Sequence, residues 1–68
     1  MEKLTLKALR VNAGMTQKEV AKILKVSNKT LSSWENGTTF PKTNYVDAIC
    51  KLYNVEYNRI NFLNECSL

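Results

Sequence analysis

Histidine is missing from this 68-residue sequence. Its absence removes the commonest general base, the usual partner of a Ser or Cys nucleophile and the commonest metal ligand together. Only two glycines occur, Gly14 and Gly37, so neither common Gly-rich phosphate cradle can be written. The two cysteines, Cys50 and Cys66, are too few and too far apart for a zinc site. No apolar run is long enough to cross a bilayer, and no basic start leads into an apolar leader. These absences point away from an enzyme, a metal, another cofactor, a small-molecule ligand or a membrane. They suit a cytoplasmic chain with reduced thiols, Cys50 as a small core residue on a helix and Cys66 in a tail.

The length fits one small domain, read as residues 1–68, with no room for a cleft between two domains. Such a chain buries only about 60% of the surface its unfolded form exposes, so its stability is marginal. Hydrophobic residues make up 44%, which is too apolar for disorder. Charge is unevenly spread. Residues 1–42 hold eight basic and three acidic side chains, a net of +5, and residues 43–68 hold two and three, a net of −1. A basic front half suits a polyanion, either nucleic acid or an anionic membrane surface. On charge alone, a solvated basic surface without a partner is the marginally better reading.

The hydrophobic pattern predicts five short helices and no sheet. Residues 5–13 put Leu6, Leu9 and Ala13 on one stripe, with Thr5 as cap and Gly14 at a left-handed stop. Thr16-Gln17-Lys18-Glu19 is a capping box, flanked by a Met15–Val20 staple, and opens a helix over 17–24. Ser27 caps the next helix, 28–36, which Gly37 ends. The gap between these two helices has the length of a helix-turn-helix connection. Pro41 keeps Phe40 out of helical geometry, and Thr43 is a candidate cap for a helix over 43–53. There Val46, Ile49, Cys50 and Tyr53 form one stripe, with Asn54 at the stop. A weaker segment over 57–63 carries Tyr57, Ile60 and Leu63.

The third helix has an unusual composition. At about 100° per residue, Asn28, Lys29, Ser32, Ser33 and Asn36 share an arc of roughly 140°. Leu31 and Trp34 face the other way, toward the core. Ser and Asn lower helix propensity, and a merely soluble face would more often carry Glu and Lys. Short side chains that donate and accept hydrogen bonds let a helix approach a surface closely. Such a helix fits the major groove of DNA, about 12 Å wide, where Asn can pair with adenine and Lys with guanine. By itself this face fits a solvated surface about as well.

Larger stretches of the sequence resemble the Cro/CI-type helix-turn-helix domain of phage repressors and related bacterial regulators, also called XRE or lambda-repressor-like. The resemblance runs from about Leu6 to Leu63. It rests on Leu9-Arg10, on Met15-Thr16-Gln17-Lys18-Glu19-Val20-Ala21, on Val26 through Gly37 with its Ser33-Trp34-Glu35-Asn36-Gly37, and on Pro41. It implies an all-α, five-helix DNA-binding domain. It further implies that Gln17 contacts a phosphate and braces the third helix. Ser27, Asn28, Lys29, Ser32 and Ser33 match the recognition helix, with Asn28, Lys29 and Ser33 the expected base readers. Asn36, the loop after it and Lys42 are expected on the DNA backbone. Arg10 and Glu35 match a pair that forms a buried salt bridge in some members, a structural role; Trp34 is expected in the core.

Two positions depart from the family pattern. Lys25 stands where members usually have Gly, and a left-handed Lys costs ~1 kcal/mol relative to Gly. Lys42 stands where a small capping residue is common, so the fourth helix is expected to start one residue late. One recognition helix reads only about 4–6 base pairs, and family members bind as two-fold dimers with half-sites about 34 Å apart. A homodimer contact is expected near Val55, Tyr57, Arg59, Ile60 and Phe62, with Phe62 singled out because it lies off the Ile60–Leu63 stripe. The expected partner is double-stranded DNA, and the bare domain length suggests a small phage Cro-like repressor. The alternatives are an antitoxin-type regulator or a protein-interaction module that keeps the fold.

Overall fold

The two ends of the domain are joined by a parallel strand pairing. In the computed structural model, which describes residues 3–62, β1 (Leu4–Thr5) pairs with β2 (Ile60–Asn61) in the register Leu4 to Ile60 and Thr5 to Asn61. Between them run α1 (Leu6–Asn12), α2 (Gln17–Leu24), α3 (Asn28–Glu35), α4 (Thr43–Tyr53) and a 3₁₀ turn, Tyr57–Arg59. The four helices match the sequence reading to within a residue or so at each end.

Each helix stops in the same way. The left-handed residues are Gly14, Lys25, Gly37 and Asn54, one after each helix. Behind each, the next amide reaches back five residues: Met15 to Arg10, Val26 to Ala21, Thr38 to Ser33 and Val55 to Cys50, at 2.9–3.2 Å. This is the Schellman arrangement, which satisfies carbonyls that the helix end would otherwise leave open. Met15, Val26 and Val55 then pack against the core, so three of the four stops also bury an apolar side chain.

The core takes side chains from every helix. Leu6 and Leu9 come from α1, Val20, Ala21 and Leu24 from α2, Leu31 and Trp34 from α3, and Val46 and Ile49 from α4. Val20 and Ile49 are the most deeply buried, at 0% and 1% exposure. Trp34 is a core residue, and its ring lies 5.2 Å from that of Tyr45 on α4. No helix among the described residues is long and apolar enough to cross a membrane.

The last segment corrects the sequence reading. Among the described residues no fifth α-helix forms from Tyr57 onward; one 3₁₀ turn leads into β2, and a small sheet exists where none was expected. The reason is the spacing of the buried residues. Ile60 and Phe62 are both buried, and residues two apart share a face in extended chain, not in a helix. Leu63, on which the helical stripe depended, lies outside the described residues, as does Cys66. Thr43 is also corrected: it is the first residue of α4, and the cap is Lys42, whose side chain makes no capping bond.

Phe62 belongs to the domain's own interior. It is 7% exposed, and its ring meets Phe40 at 4.7 Å and Tyr57 at 5.7 Å. Ile60 is 3% exposed, so neither residue is available for the subunit contact expected of them. Replacing Phe62 by Ala should therefore lower stability by about 3–5 kcal/mol, the usual cost of emptying a buried aromatic site. Urea unfolding at low and high protein concentration checks this; a loss that disappears on dilution would return Phe62 to a subunit contact.

Candidate nucleic-acid interface

The helix-turn-helix is assembled around one buried carboxylate. Glu35 is the last residue of α3 and is only 4% exposed. Arg10, in the last turn of α1, donates from Nε to Glu35 Oε2 at 2.8 Å and from Nη2 to Oε1 at 3.3 Å. Its third nitrogen, Nη1, donates to the Met15 carbonyl at 3.0 Å. Gln17, the first residue of α2, donates from its side-chain amide to Glu35 Oε1 at 3.0 Å. Both carboxylate oxygens are therefore occupied by donors from two other helices. A fork-to-fork pair of this kind combines charge with fixed geometry. No buried side-chain polar atom among the described residues lacks a partner.

Tyr53 on α4 borders the same network. Its phenol is pushed up from the usual 10.0 to about 12, first by loss of hydration, then by the Glu35 charge, with Arg10 partly opposing. Cys50, one turn earlier, has its thiol raised mainly by burial and further by Asp47, which disfavours the reactive thiolate.

The start of α2 is fixed locally. Thr16 Oγ1 accepts from the Glu19 amide at 3.1 Å, and Glu19 Oε1 accepts from the Thr16 amide at 2.8 Å. This is the capping box read from Thr16 and Glu19. It presents Gln17 to Glu35 from a rigid first turn. The bracing expected of Gln17 is present, made through a carboxylate.

Ser27 caps α3. Its hydroxyl accepts from the Thr30 amide at 3.0 Å and donates to the Thr30 hydroxyl at 2.9 Å. Asn28 and Lys29 follow, both exposed, while Ser32 and Ser33 are half-buried on the same face. Asn36 is exposed and donates from its side-chain amide to Ser32 Oγ at 3.4 Å. The Ser33 carbonyl accepts from the amides of Thr38 and Thr39, at 2.9 and 3.4 Å, which folds the following loop back on the helix end. Lys42 stands exposed at the far end of that loop. The fold thus gathers Asn28, Lys29, Ser32, Ser33 and Asn36 on one outward face, ties Gln17 to Glu35 at the end of the same helix and leaves Lys42 apart.

Two participants were missed from the sequence. Thr30 holds the Ser27 hydroxyl, and the Ser-x-x-Thr spacing was the available signal. The Met15 carbonyl completes the Arg10 contacts, and a backbone acceptor leaves no trace in residue type. Among the described residues, no group of His, Cys, Asp and Glu could hold a metal ion.

A helix-turn-helix family model matches residues 6–60, most of the chain. The chain belongs to the helix-turn-helix family. It is a DNA-binding domain of the Cro/CI type that the motifs resemble, and this family is regulatory, not catalytic. The chain is also similar to the antitoxin PezA of Streptococcus pneumoniae serotype 4, at 42% identity over 52 residues. That match covers 76% of this chain and 33% of the relative, so the chain spans about a third of that protein's length.

Two outcomes follow for this helix-turn-helix domain. Glu35→Ala leaves the Arg10 charge and the Gln17 amide unpaired, and should cost about 3–5 kcal/mol in urea unfolding. A cost below about 1 kcal/mol would place the pair among exposed, weak bridges. Tyr53 favours its neutral form in the fold, so its contribution is complete below about pH 10 and declines as pH rises toward 12. Tyr53→Phe should lose that alkaline limb, and the ultraviolet difference titration of wild type against Tyr53→Phe should find the Tyr53 phenol still protonated at about pH 11.

Proposed function

We propose that this domain is the operator-binding part of an antitoxin-type transcriptional regulator acting in the cytoplasm. It seats α3 in the major groove of double-stranded DNA. Asn28, Lys29 and Ser33 read base edges; Ser27 and Ser32 approach beside them, and Gln17, Asn36 and Lys42 contact phosphates. The observation that carries this reading is the outward face of mostly short polar side chains on a helix whose last residue, Glu35, is locked by Arg10 and Gln17. A face meant only for solvent needs no such lock. The basic front half of the sequence supplies the attraction for phosphate.

The antitoxin type is favoured over a phage Cro-like repressor because the similar protein is an antitoxin, matched at 42% identity over most of this chain. A two-fold dimer on a near-palindromic site suits the short reach of a single recognition helix. With Ile60 and Phe62 committed to the core, the exposed residues left for that contact are Tyr57 and Arg59, with Val55 half-buried beside them.

Selection of duplexes from a random DNA pool tests the reading. A recovered, near-palindromic site and a steep fall in affinity with salt, with a slope of about −0.9 per neutralised phosphate, are expected. Lys29→Ala should lower affinity and relax preference at one base position, at a cost of about 1–3 kcal/mol. Lys42→Ala should weaken all sequences about equally. No enrichment, or binding that ignores salt, would favour a protein-interaction module instead.

A further inference from the structure

The turn between α2 and α3 holds a residue in a conformation that its side chain resists. Lys25 has φ 61° and ψ 43°, well inside the left-handed region. The chain closes four helices with left-handed residues and uses Gly, Gly and Asn at the other three. Those are the residue types that tolerate the conformation, and a lysine does not share their reason. The backbone around Lys25 is the ordinary Schellman stop, with its amide 3.2 Å from the Lys22 carbonyl and the Val26 amide 3.0 Å from that of Ala21. Nothing in that hydrogen bonding requires a long cationic side chain.

The side chain is exposed, and so are Lys18, Lys22 and Lys29 around it. Among the described residues the one ion pair is Arg10–Glu35, so none of these four lysines is held in an ion pair. Lys25 stands three residues before Asn28, the start of the proposed base-reading face. Three residues of chain reach at most about 11 Å, close to the roughly 12 Å width of the major groove. At less than a groove's width from Asn28, a long cationic side chain comes within reach of the phosphates that border a groove holding α3. Backbone strain kept in a spot of this sort is a pointer to function, since a glycine there would relieve it.

We propose that Lys25 is a phosphate-contacting residue that anchors the turn of the helix-turn-helix on the strand beside the recognition helix, its charge kept at the expense of fold stability. This rests on the DNA-binding reading above. The rival account is that Lys25 serves only the carbonyl end of α2, where a cation is favourable to the helix.

The two accounts give Lys25→Gly opposite signs. In urea unfolding, Lys25→Gly should raise the folding constant about fivefold, the size of one relieved left-handed residue. Its affinity for a labelled duplex recovered from the random pool should fall, with a salt slope shallower by about 0.9. That slope corresponds to a loss of about eightfold at roughly 0.1 M salt, closing toward 1 M. Lys25→Asn, which also tolerates the conformation, should lose the same affinity, and Lys25→Arg should keep the wild-type slope. A Lys25→Gly domain that is no more stable than the wild type, or that keeps affinity and slope, overturns the assignment while leaving DNA binding intact. A wild type without salt-dependent binding to any duplex overturns both.

Discussion

Glu35 is an anion with almost no contact with water, and the geometry of the helix-turn-helix depends on how it is kept. Taking a carboxylate out of water costs several kcal/mol unless its oxygens are met by well-aligned donors. Here those donors come from Arg10 at the end of α1 and Gln17 at the start of α2, while the acceptor sits at the end of α3. The three helices cannot shift relative to one another without unpairing a buried charge. An apolar contact in the same place would tolerate sliding; a forked pair does not. The lock acts at the end of α3 opposite its first turn, so the exposed face of Asn28 and Lys29 inherits its angle from it.

The domain is small, and its helices are short, at 7–11 residues. Isolated helices of this length are unstable in water. Their ends therefore matter as much as their faces. Ser or Thr side chains cap three starts, and all four stops use a left-handed residue. The uneven charge fits this plan. The half that holds α1, α2 and α3 is basic, while residues 43–68 are close to neutral and supply α4, the 3₁₀ turn and β2.

Much of this was legible in residue order, because the informative signals are local. Thr16 and Glu19 define a capping box over four residues, and the Asn54 and Gly37 stops follow their helices directly. The α3 face was legible because helix rotation alone sorts Asn28, Lys29, Ser32, Ser33 and Asn36 from Leu31 and Trp34. What was not legible depends on distant partners. Ile60 and Phe62 read as part of a weak helix until β1, some 55 residues earlier, is there to pair with Ile60 and Asn61. The same pairing explains why Phe62 turns inward to Phe40. Lys42 as a cap without a capping side chain was hidden because α4 is held by its packing against the core, not by its first turn.

The central claim is that a carboxylate-locked α3 offers its polar face to duplex DNA. Nuclear magnetic resonance titration of the labelled domain with a selected duplex tests it most directly, residue by residue. The account predicts that amide signals from Ser27 through Ser33, with Gln17 and Lys42, move together on binding, while those of the Tyr57–Asn61 segment stay in place at sub-dimeric concentrations. Movement centred on Tyr57 and Arg59, with the α3 signals unchanged, would contradict it.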